Sequence, residues 1–349
     1  MILPQTYAAA LFLMILSMLC WGSWANTYKL AGKWRFELFY FDYAFGLLLA
    51  ALLFAFTVGT LGYDGFTFTD DLMHAGKRQW MWGFMGGVVF NLANMLLVAA
   101  ISVAGMAVAF PVAIGLALII GVCLNYLIKP AGNPAFLFLG CGLILVAIVL
   151  DAMAYRILGH IRHEAEARAG KAVTTRRPTP IKGIVLSLVS GLLMGLFFPL
   201  VEKGKEGDIG LGPYAIAVVF ALGVFLSTFV FNLFFMNLPV EGDPVEIHDY
   251  FTAEPKQHLL GWAGGAIWCT GGVAAFVAAS APEQVHIGPA ISYAMGQGAT
   301  LISALWGLLV WKEFHGAGGR VKALAGAMLI LFAAGLTLVS LAPLYTRPI

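Results

Sequence analysis

Ten long apolar stretches, separated by short polar connections, run along the chain. Each is close to the roughly 20 residues that an α-helix needs to cross the hydrocarbon core of a bilayer. The pattern therefore predicts an all-α membrane protein with ten transmembrane helices. The predicted helices are 6–28, 38–59, 80–102, 106–128, 134–155, 182–203, 212–238, 259–280, 285–311 and 321–343.

A G-x-x-G-G motif and two later residues occur twice at one fixed offset. The pairs, each 178 positions apart, are Gly83 and Gly261, Gly86 and Gly264, Gly87 and Gly265, Ser102 and Ser280, and Pro111 and Pro289. A repeat of membrane helices is typical of secondary transporters.

A long basic connection divides the ten predicted helices five and five. With an odd number of helices per half, the second half enters the membrane from the opposite side, so we expect an inverted repeat. The predicted domains are a first repeat at 1–155, a basic cytoplasmic linker at 156–181 and a second repeat at 182–349.

Composition agrees with a multi-pass membrane protein, because 60% of residues are hydrophobic, 11% are charged and the mean hydropathy is +0.88. Of the 20 Lys and Arg residues, 14 lie in, or within two residues of, the connections that follow the odd-numbered helices. The positive-inside rule makes these connections cytoplasmic and both termini external. The net charge of +2 does not suggest a nucleic-acid partner; the basic linker is expected beside anionic lipid head groups of the bilayer.

Aromatic residues follow one stripe of the first helix, where Trp21 and Trp24 flank Gly22 and Ser23. Two indoles could form a stacking wall for a planar or sugar-like ligand. The alternative is an aromatic belt at the membrane interface.

Asn91 and Asn94 lie near the middle of the third helix, where lipid cannot satisfy their amides. They are candidates for substrate recognition, and the alternative is hydrogen bonding between helices.

The ninth helix carries a second stripe with Pro289, Tyr293 and Gln297. Because proline removes a backbone hydrogen bond, Pro111 and Pro289 are expected to weaken two related helices near a midplane site. The alternative for each proline is a packing kink. Tyr293 and Gln297 join the substrate-binding candidates, as does Trp268 on the eighth helix.

Asp42 is the most deeply placed ionisable residue of the predicted helices and has aromatic neighbours in sequence, so it is the first candidate for proton coupling. The alternative is a structural ion pair with Arg35 or Lys33. His286, near the outer mouth, is a second candidate proton carrier.

Sequence signatures of enzymes are missing, since the chain has neither a phosphate-binding loop nor an H-E-x-x-H zinc motif. We therefore expect neither an enzyme nor a bound cofactor or metal.

Three short motifs carry a family resemblance. They are Trp21-Gly22-Ser23-Trp24, Leu124-Asn125-Tyr126-Leu127, and Trp311-Lys312-Glu313-Phe314 with the glycine turn before Arg320. With the five-plus-five repeat, they resemble the drug/metabolite transporter superfamily, and within it the ureide permease and the glucose and rhamnose porter branches.

That resemblance implies a carrier, coupled to a proton or another cation, of a small polar metabolite such as a ureide, a nucleobase or a sugar. The alternatives are an exporter of metabolites or drugs, a channel, or a membrane-embedded enzyme. The short central connection suggests a compact relative in a bacterial inner membrane.

Overall fold

The structure, a computed structural model, describes residues 1–104, 106–168, 180–239, 243–285, 287–312 and 317–345. These residues form helices and no β-strand. Nine helices among them are long and apolar enough to cross a membrane, and the shorter apolar helix Val112–Ile128 occupies the place of the predicted fourth span. The chain is thus an all-helical, multi-pass membrane protein. The inverted arrangement of ten spans stays a prediction.

We number the principal helices in chain order. They are α1 (Tyr7–Ser23, continued by Ala25–Leu30), α2 (Phe36–Phe56), α3 (Lys77–Ala104), α4 (Met106–Ile128), α5 (Pro134–Arg168), α6 (Pro180–Gly204), α7 (Pro213–Asn237), α8 (Pro255–Ala279), α9 (Pro289–Gly296, Ala299–Leu305 and a π-helical turn Trp306–Val310) and α10 (Gly319–Leu341). Two short helices, Phe68–His74 and His248–Phe251, lie in the connections after α2 and α7.

Helix α5 is longer than hydropathy predicts, because it continues from residue 155 to Arg168. The extra residues are rich in Arg, Ala and Glu and contain no proline, so they favour a helix although they are too polar for a membrane span. The linker predicted at 156–181 therefore begins as helix, and its residues 169–179 lie outside the described part of the chain.

The two G-x-x-G-G motifs make equivalent helix crossings. In the first crossing α3 packs on α7, and a Cβ at Gly87 would overlap the carbonyl oxygen of Phe220. In the second crossing α8 packs on α2, and a Cβ at Gly265 would overlap the carbonyl oxygen of Tyr43. Small residues allow membrane helices to approach this closely.

The opposite side of each crossing also repeats. A Cβ at Gly223 in α7 would overlap the carbonyl oxygen of Phe84, and a Cβ at Gly46 in α2 would overlap that of Trp262. Phe84 and Trp262 are 178 positions apart, like the glycines that they follow. A repeated sequence therefore makes repeated contacts, which supports the internal repeat.

Polar and apolar side chains are distributed as a bilayer requires. Large apolar residues such as Leu53, Val230 and Ile330 are exposed, whereas Asn91 and Asn94 are buried between helices. An apolar surround and a partly polar interior suit a protein whose solvent is lipid.

Candidate functional site

Two tryptophans, one from each half of the chain, stack on each other between α1 and α8. The rings of Trp21 in α1 and Trp268 in α8 have centroids 5.6 Å apart at an interplanar angle of 21°. The Trp21 Nε1 donates a hydrogen bond of 3.2 Å to the Trp268 carbonyl oxygen. Gly271 and Gly296 make room for Trp21, since an added Cβ would lie 2.7 and 2.5 Å from its ring.

Further aromatic rings surround this pair. Phe90 lies 4.3 Å from Trp268, Phe220 stacks on Trp268 at 5.6 Å, and Phe197 bridges Trp21 at 6.4 Å and Tyr293 at 6.0 Å. We call this set the aromatic core. Its members are Trp21, Phe90, Phe197, Phe220, Trp268 and Tyr293, from six different helices of both halves.

Tyr293 ties the aromatic core to the two neighbouring helices. Its hydroxyl lies 3.3 Å from the Ala117 carbonyl oxygen in α4 and 3.2 Å from the Met194 carbonyl oxygen in α6. A phenol with one proton can donate to either carbonyl, so this hydrogen bond can be exchanged or given up. The structure therefore brings Trp21, Trp268 and Tyr293 together, as the sequence predicts.

A second group of rings lies beside the aromatic core. Trp24 packs on Tyr43 with ring centroids 4.9 Å apart, Tyr43 stacks on Tyr40 at 4.9 Å, and Asn94 donates a 3.1 Å hydrogen bond to the Tyr40 hydroxyl. We call Trp24, Tyr40, Tyr43 and Asn94 the tyrosine group. The buried Tyr43 hydroxyl has no hydrogen-bond partner among the described residues. Such a group is a candidate contact for a polar solute.

Asn91 lies elsewhere. Its amide donates to Ser227 Oγ at 2.7 Å, Thr228 Oγ1 at 3.1 Å and the Val224 carbonyl oxygen at 3.2 Å, all in α7. These bonds correspond to the alternative considered for this residue, hydrogen bonding between helices. The structure therefore does not bring Asn91 to the aromatic core.

Pro289 starts α9 and does not interrupt it, because it occupies the first helical position after Gly288. At that position the missing N–H would have no helical partner, so the expected helix weakening by Pro289 is wrong. Pro111 lies within α4, and its side chain is outside the described part of the structure.

Irregular backbone in α9 occurs near Gln297 instead. The buried Gln297 ends the first part of α9, and the next hydrogen bonds join Gly298 N to Met295 O and Leu301 N to Gly298 O, at 3.0 and 2.9 Å. This i→i+3 turn sits where α1 crosses, because an added Cβ at Gly22 would lie 2.5 Å from Ala299 O. Tight turns inside long helices often mark hinges. Gln297 is therefore placed at an irregular crossing of two helices.

Asp42 is buried in a network that sequence analysis missed. Its Oδ1 accepts hydrogen bonds from Tyr250 Oη at 2.7 Å and Trp262 Nε1 at 2.8 Å, and its Oδ2 lies 2.6 Å from His258 Nδ1. Burial and the Asp42 carboxylate both raise the pKa of Tyr250, so the phenol keeps its proton. Arg35 is paired with Glu37 at 2.8 Å, which removes Arg35 as the structural partner considered for Asp42.

A signal for this network was present in the sequence. His258, Gly261 and Trp262 have i, i+3 and i+4 spacing, so they share one face of α8. A Cβ at Gly261 would overlap Asp42 Cβ, so that face is the one against α2. His286, the second proton candidate, lies outside the described residues.

Comparison with known proteins gives several ureide permeases and a transmembrane protein 144 homologue of Dictyostelium discoideum. A family model described as ureide permease matches residues 39–160. Ureide permease 4 of Arabidopsis thaliana is 25% identical over 408 aligned positions, covering 97% of this chain and 98% of that protein. Probable ureide permease A3 of Vigna unguiculata is 30% identical over 154 positions, covering 42% and 41%.

A solved crystal structure has the same fold, with a TM-score of 0.60 at 17% identity over 97% of this chain and 99% of the other. The expected resemblance to ureide permeases is thus confirmed, and with it the expectation that the chain is not an enzyme. The wider drug/metabolite superfamily and the sugar porters stay predictions.

Proposed function

We propose that the chain is a secondary active transporter of a small polar metabolite of the ureide or nucleobase type. The observation that carries the proposal is similarity to ureide permeases over nearly the whole chain. The stacked pair Trp21–Trp268, which joins the two halves, supports it. Two flat indoles suit a planar, amide-rich solute better than an apolar drug.

The aromatic core and the tyrosine group divide the recognition of such a solute between them. Trp21 and Trp268 provide ring faces, and the Tyr43 hydroxyl and Asn94 amide provide a donor and an acceptor nearby. The solute must insert between rings that now touch each other, so binding would accompany opening of the bundle.

Alternating access follows if the two five-helix repeats are inverted and rock against each other around the aromatic core. The repeated glycine crossings support this arrangement. In the proposed orientation the basic linker is cytoplasmic and both termini are external. The two ureide permeases named above are plant proteins, so they do not support the bacterial inner membrane expected from the short linker.

Proton coupling is assigned to Asp42, the carboxylate held between α2 and α8 by His258, Tyr250 and Trp262. A proton that neutralises Asp42 would weaken these three charge-assisted hydrogen bonds at once. Helices α2 and α8 come from different halves, so loosening this contact is a direct way to favour one conformation of the carrier.

The test is counterflow in proteoliposomes, which detects a carrier whether it imports or exports. Labelled allantoin, uracil, glucose and rhamnose are each offered to vesicles loaded with the same unlabelled solute. We expect counterflow of allantoin or uracil and none of the sugars. Exchange of sugars alone would replace the proposed substrate class. Outflow of the unlabelled solute without transient accumulation of the labelled solute would indicate a channel.

The site is tested with Trp268→Ala. Stacking of a base on an aromatic ring contributes about 1–3 kcal/mol, so the KM for the transported solute should rise by about 5- to 150-fold. Trp82→Ala is the control, because Trp82 contacts Lys203 at 5.2 Å and is not a member of the aromatic core. Equal effects of the two substitutions on the KM would contradict the proposal that the aromatic core binds the solute.

A further inference from the structure

A cavity of about 490 Å³ opens at one end of the bundle, away from the aromatic core. Its walls come from the connections after α2, α4, α6 and α8, the face that the positive-inside rule makes external. We call this cavity the vestibule. Its charged and hydroxyl-bearing lining residues include Asp71, Lys129, Glu202, Lys205, Glu206 and Ser280.

A buried ion pair forms one wall of the vestibule. Lys205 Nζ lies 2.7 Å from Glu202 Oε1, and the two side chains are only 10% and 6% exposed. Burial, opposed by Glu202, lowers the pKa of the Lys205 ammonium. Taking two charges out of water costs more than their attraction usually returns, so such a pair is weak evidence of stability. A binding role would account for its position beside a cavity.

Lys205 has bonding capacity that the described residues do not use. Its ammonium donates to Glu202 and, at 3.3 Å, to the Phe276 carbonyl oxygen. An ammonium has three N–H donors. Within the described part of the chain, one donor is thus left for a carbonyl oxygen of a solute in the cavity.

The balance of charge in the vestibule selects the kind of solute. Lys129 and Lys205 are accompanied by Glu202, Glu206 and Asp71, so neither sign dominates the lining. A neutral solute with strong local dipoles can meet both signs without leaving a buried charge unpaired. A solute with a net charge has no such match.

The vestibule and the aromatic core lie along the same helix, α8. Phe276, whose carbonyl binds Lys205, is eight residues from Trp268 along α8, which is a rise of about 12 Å. Between them Phe198 contacts Phe276 and Tyr293, each with ring centroids 5.4 Å apart. The rings of Phe198 and Phe276 thus separate the vestibule from the site below.

We propose that the vestibule is an entry site that binds a neutral, dipolar, amide-rich solute through Lys205 and Glu202 before it passes Phe198 and Phe276 to the aromatic core. This inference rests on the proposed function, because it assigns a first binding step to the same solute class. The solute would occupy the vestibule first and the aromatic core second.

The test uses Ser280→Cys in a chain whose four native cysteines are replaced by alanine. Ser280 lines the vestibule, so a bound solute should shield it from a thiol reagent in the purified protein. At a concentration about four times its Kd, allantoin should slow the modification about fivefold. Glucose should not, and Tyr63→Cys, at a fully exposed position, should react at the same rate with and without allantoin.

The ion pair is tested by replacing both partners, Lys205→Met with Glu202→Gln, so that no single buried charge is left unpaired. Protection of Ser280→Cys should vanish, and the KM for transport should rise about 10-fold with little change in kcat. Lys203→Met is the matched control, because that ammonium lies over the Trp82 ring instead. A misfolded double variant is recognised by its elution profile, and Lys205→Gln with Glu202→Gln, which also leaves no charge unpaired, then carries the same comparison.

The outcomes separate the two proposals. Counterflow of allantoin or uracil without protection of Ser280→Cys would overturn the entry site and leave the transporter standing. Protection that requires Lys205 and Glu202, without any counterflow, would support the binding site and overturn the proposed function. If neither counterflow nor protection is observed, both the proposed function and the entry site are overturned.

Discussion

The two glycine crossings of this protein have the same backbone contacts and different chemistry. In the first crossing Gly83 of α3 faces Val219 of α7, where an added Cβ would lie 3.2 Å from the Val219 side chain. In the second crossing Gly261 of α8 faces Asp42 of α2. Val219 and Asp42 are 177 positions apart, one less than the repeat offset. One half thus has a methyl group where the other has a carboxylate.

The residues that flank the crossings differ in the same sense. Trp80 in α3 donates a 3.3 Å hydrogen bond to Leu72 O, which anchors the short helix Phe68–His74. Its partner 178 positions later is His258, which lies 2.6 Å from Asp42 and is joined there by Tyr250 of the short helix His248–Phe251. A structural anchor in one half corresponds to an ionisable contact in the other.

This difference teaches where to look for function in a repeated membrane protein. Contacts that recur in both crossings are explained by packing, because both crossings need the same close approach of helices. A buried carboxylate present in only one copy is expensive in a membrane and has no such explanation. The second crossing is therefore the candidate moving contact, and the first, which also joins the two halves, is the candidate fixed pivot between them.

The largest expected effect comes from breaking the shared geometry. In Gly87→Leu and Gly265→Leu the new side chain meets a backbone carbonyl that cannot move aside. The cost should exceed the about 1–3 kcal/mol of ordinary overpacking, so we expect neither variant to elute as a monodisperse protein. Gly142→Leu in α5 is the control, since nothing lies within 4 Å of an added Cβ there. A folded Gly265→Leu beside an unfolded Gly87→Leu would show that the crossings are not equivalent.

The next largest effect concerns Asp42. One charge moving through about 100 mV supplies about 2.3 kcal/mol, enough for about 50-fold accumulation. Asp42→Asn should abolish this accumulation and preserve counterflow, because the amide cannot change charge and its oxygen can still accept from Tyr250 and Trp262. Uptake under an imposed proton gradient measures the first property and exchange without a gradient the second.

Glu37→Gln is the matched control for Asp42→Asn. Glu37 is also a carboxylate of α2, and it is held by Arg35 at 2.8 Å near the start of the helix. Its loss should leave the accumulation ratio unchanged. Accumulation that persists in Asp42→Asn would exclude coupling through this residue and return it to a structural role.

Sequence reasoning could anticipate much of this arrangement, for physical reasons. Membrane spans, the 178-residue repeat and the close helix contacts follow from apolar length and small residues, which act locally. The meeting of Trp21, Trp268 and Tyr293 was also predictable, since polar groups of several membrane helices must be buried together.

The partners of Asp42 were harder to predict. Tyr250 lies in a short connection helix and His258 at the start of α8, more than 200 positions from Asp42, so local periodicity could not pair them. The capping box formed by Glu254 and Gln257 fixes the start of α8 and thereby the direction of His258. Pro289 was misjudged because its role depends on the residue at which α9 begins, and boundaries are poorly defined by hydropathy.

A smaller effect distinguishes the two asparagines of α3. Asn91→Leu removes hydrogen bonds to α7 in the first crossing, where interhelical bonds contribute roughly 0.6 kcal/mol each. We expect a slightly lower melting temperature and an unchanged KM, because the crossing is fixed. Asn94→Leu should instead raise the KM, since Asn94 belongs to the tyrosine group. Thermal unfolding and counterflow of both variants make the comparison, and a raised KM in Asn91→Leu would place α7 in the binding site.

The smallest expected effect is a pH dependence of stability at the first crossing's connection. Asp71, in the short helix Phe68–His74, accepts a 2.8 Å hydrogen bond from Gly212 N, but burial outweighs this and raises its pKa from 3.8 to about 6. A raised pKa means that the folded state favours the protonated acid. The contribution of Asp71 to stability is therefore complete below about pH 3.8 and is lost as the pH rises through about 6.

Asp71→Asn keeps an oxygen for Gly212 and cannot ionise, so it should melt at a higher temperature than the parent at pH 7 and not at pH 4. The gain at neutral pH must shrink on acidification; a gain that is the same at both pH values would mean that Asp71 titrates normally and that the carboxylate at this connection is as well solvated as an exposed one.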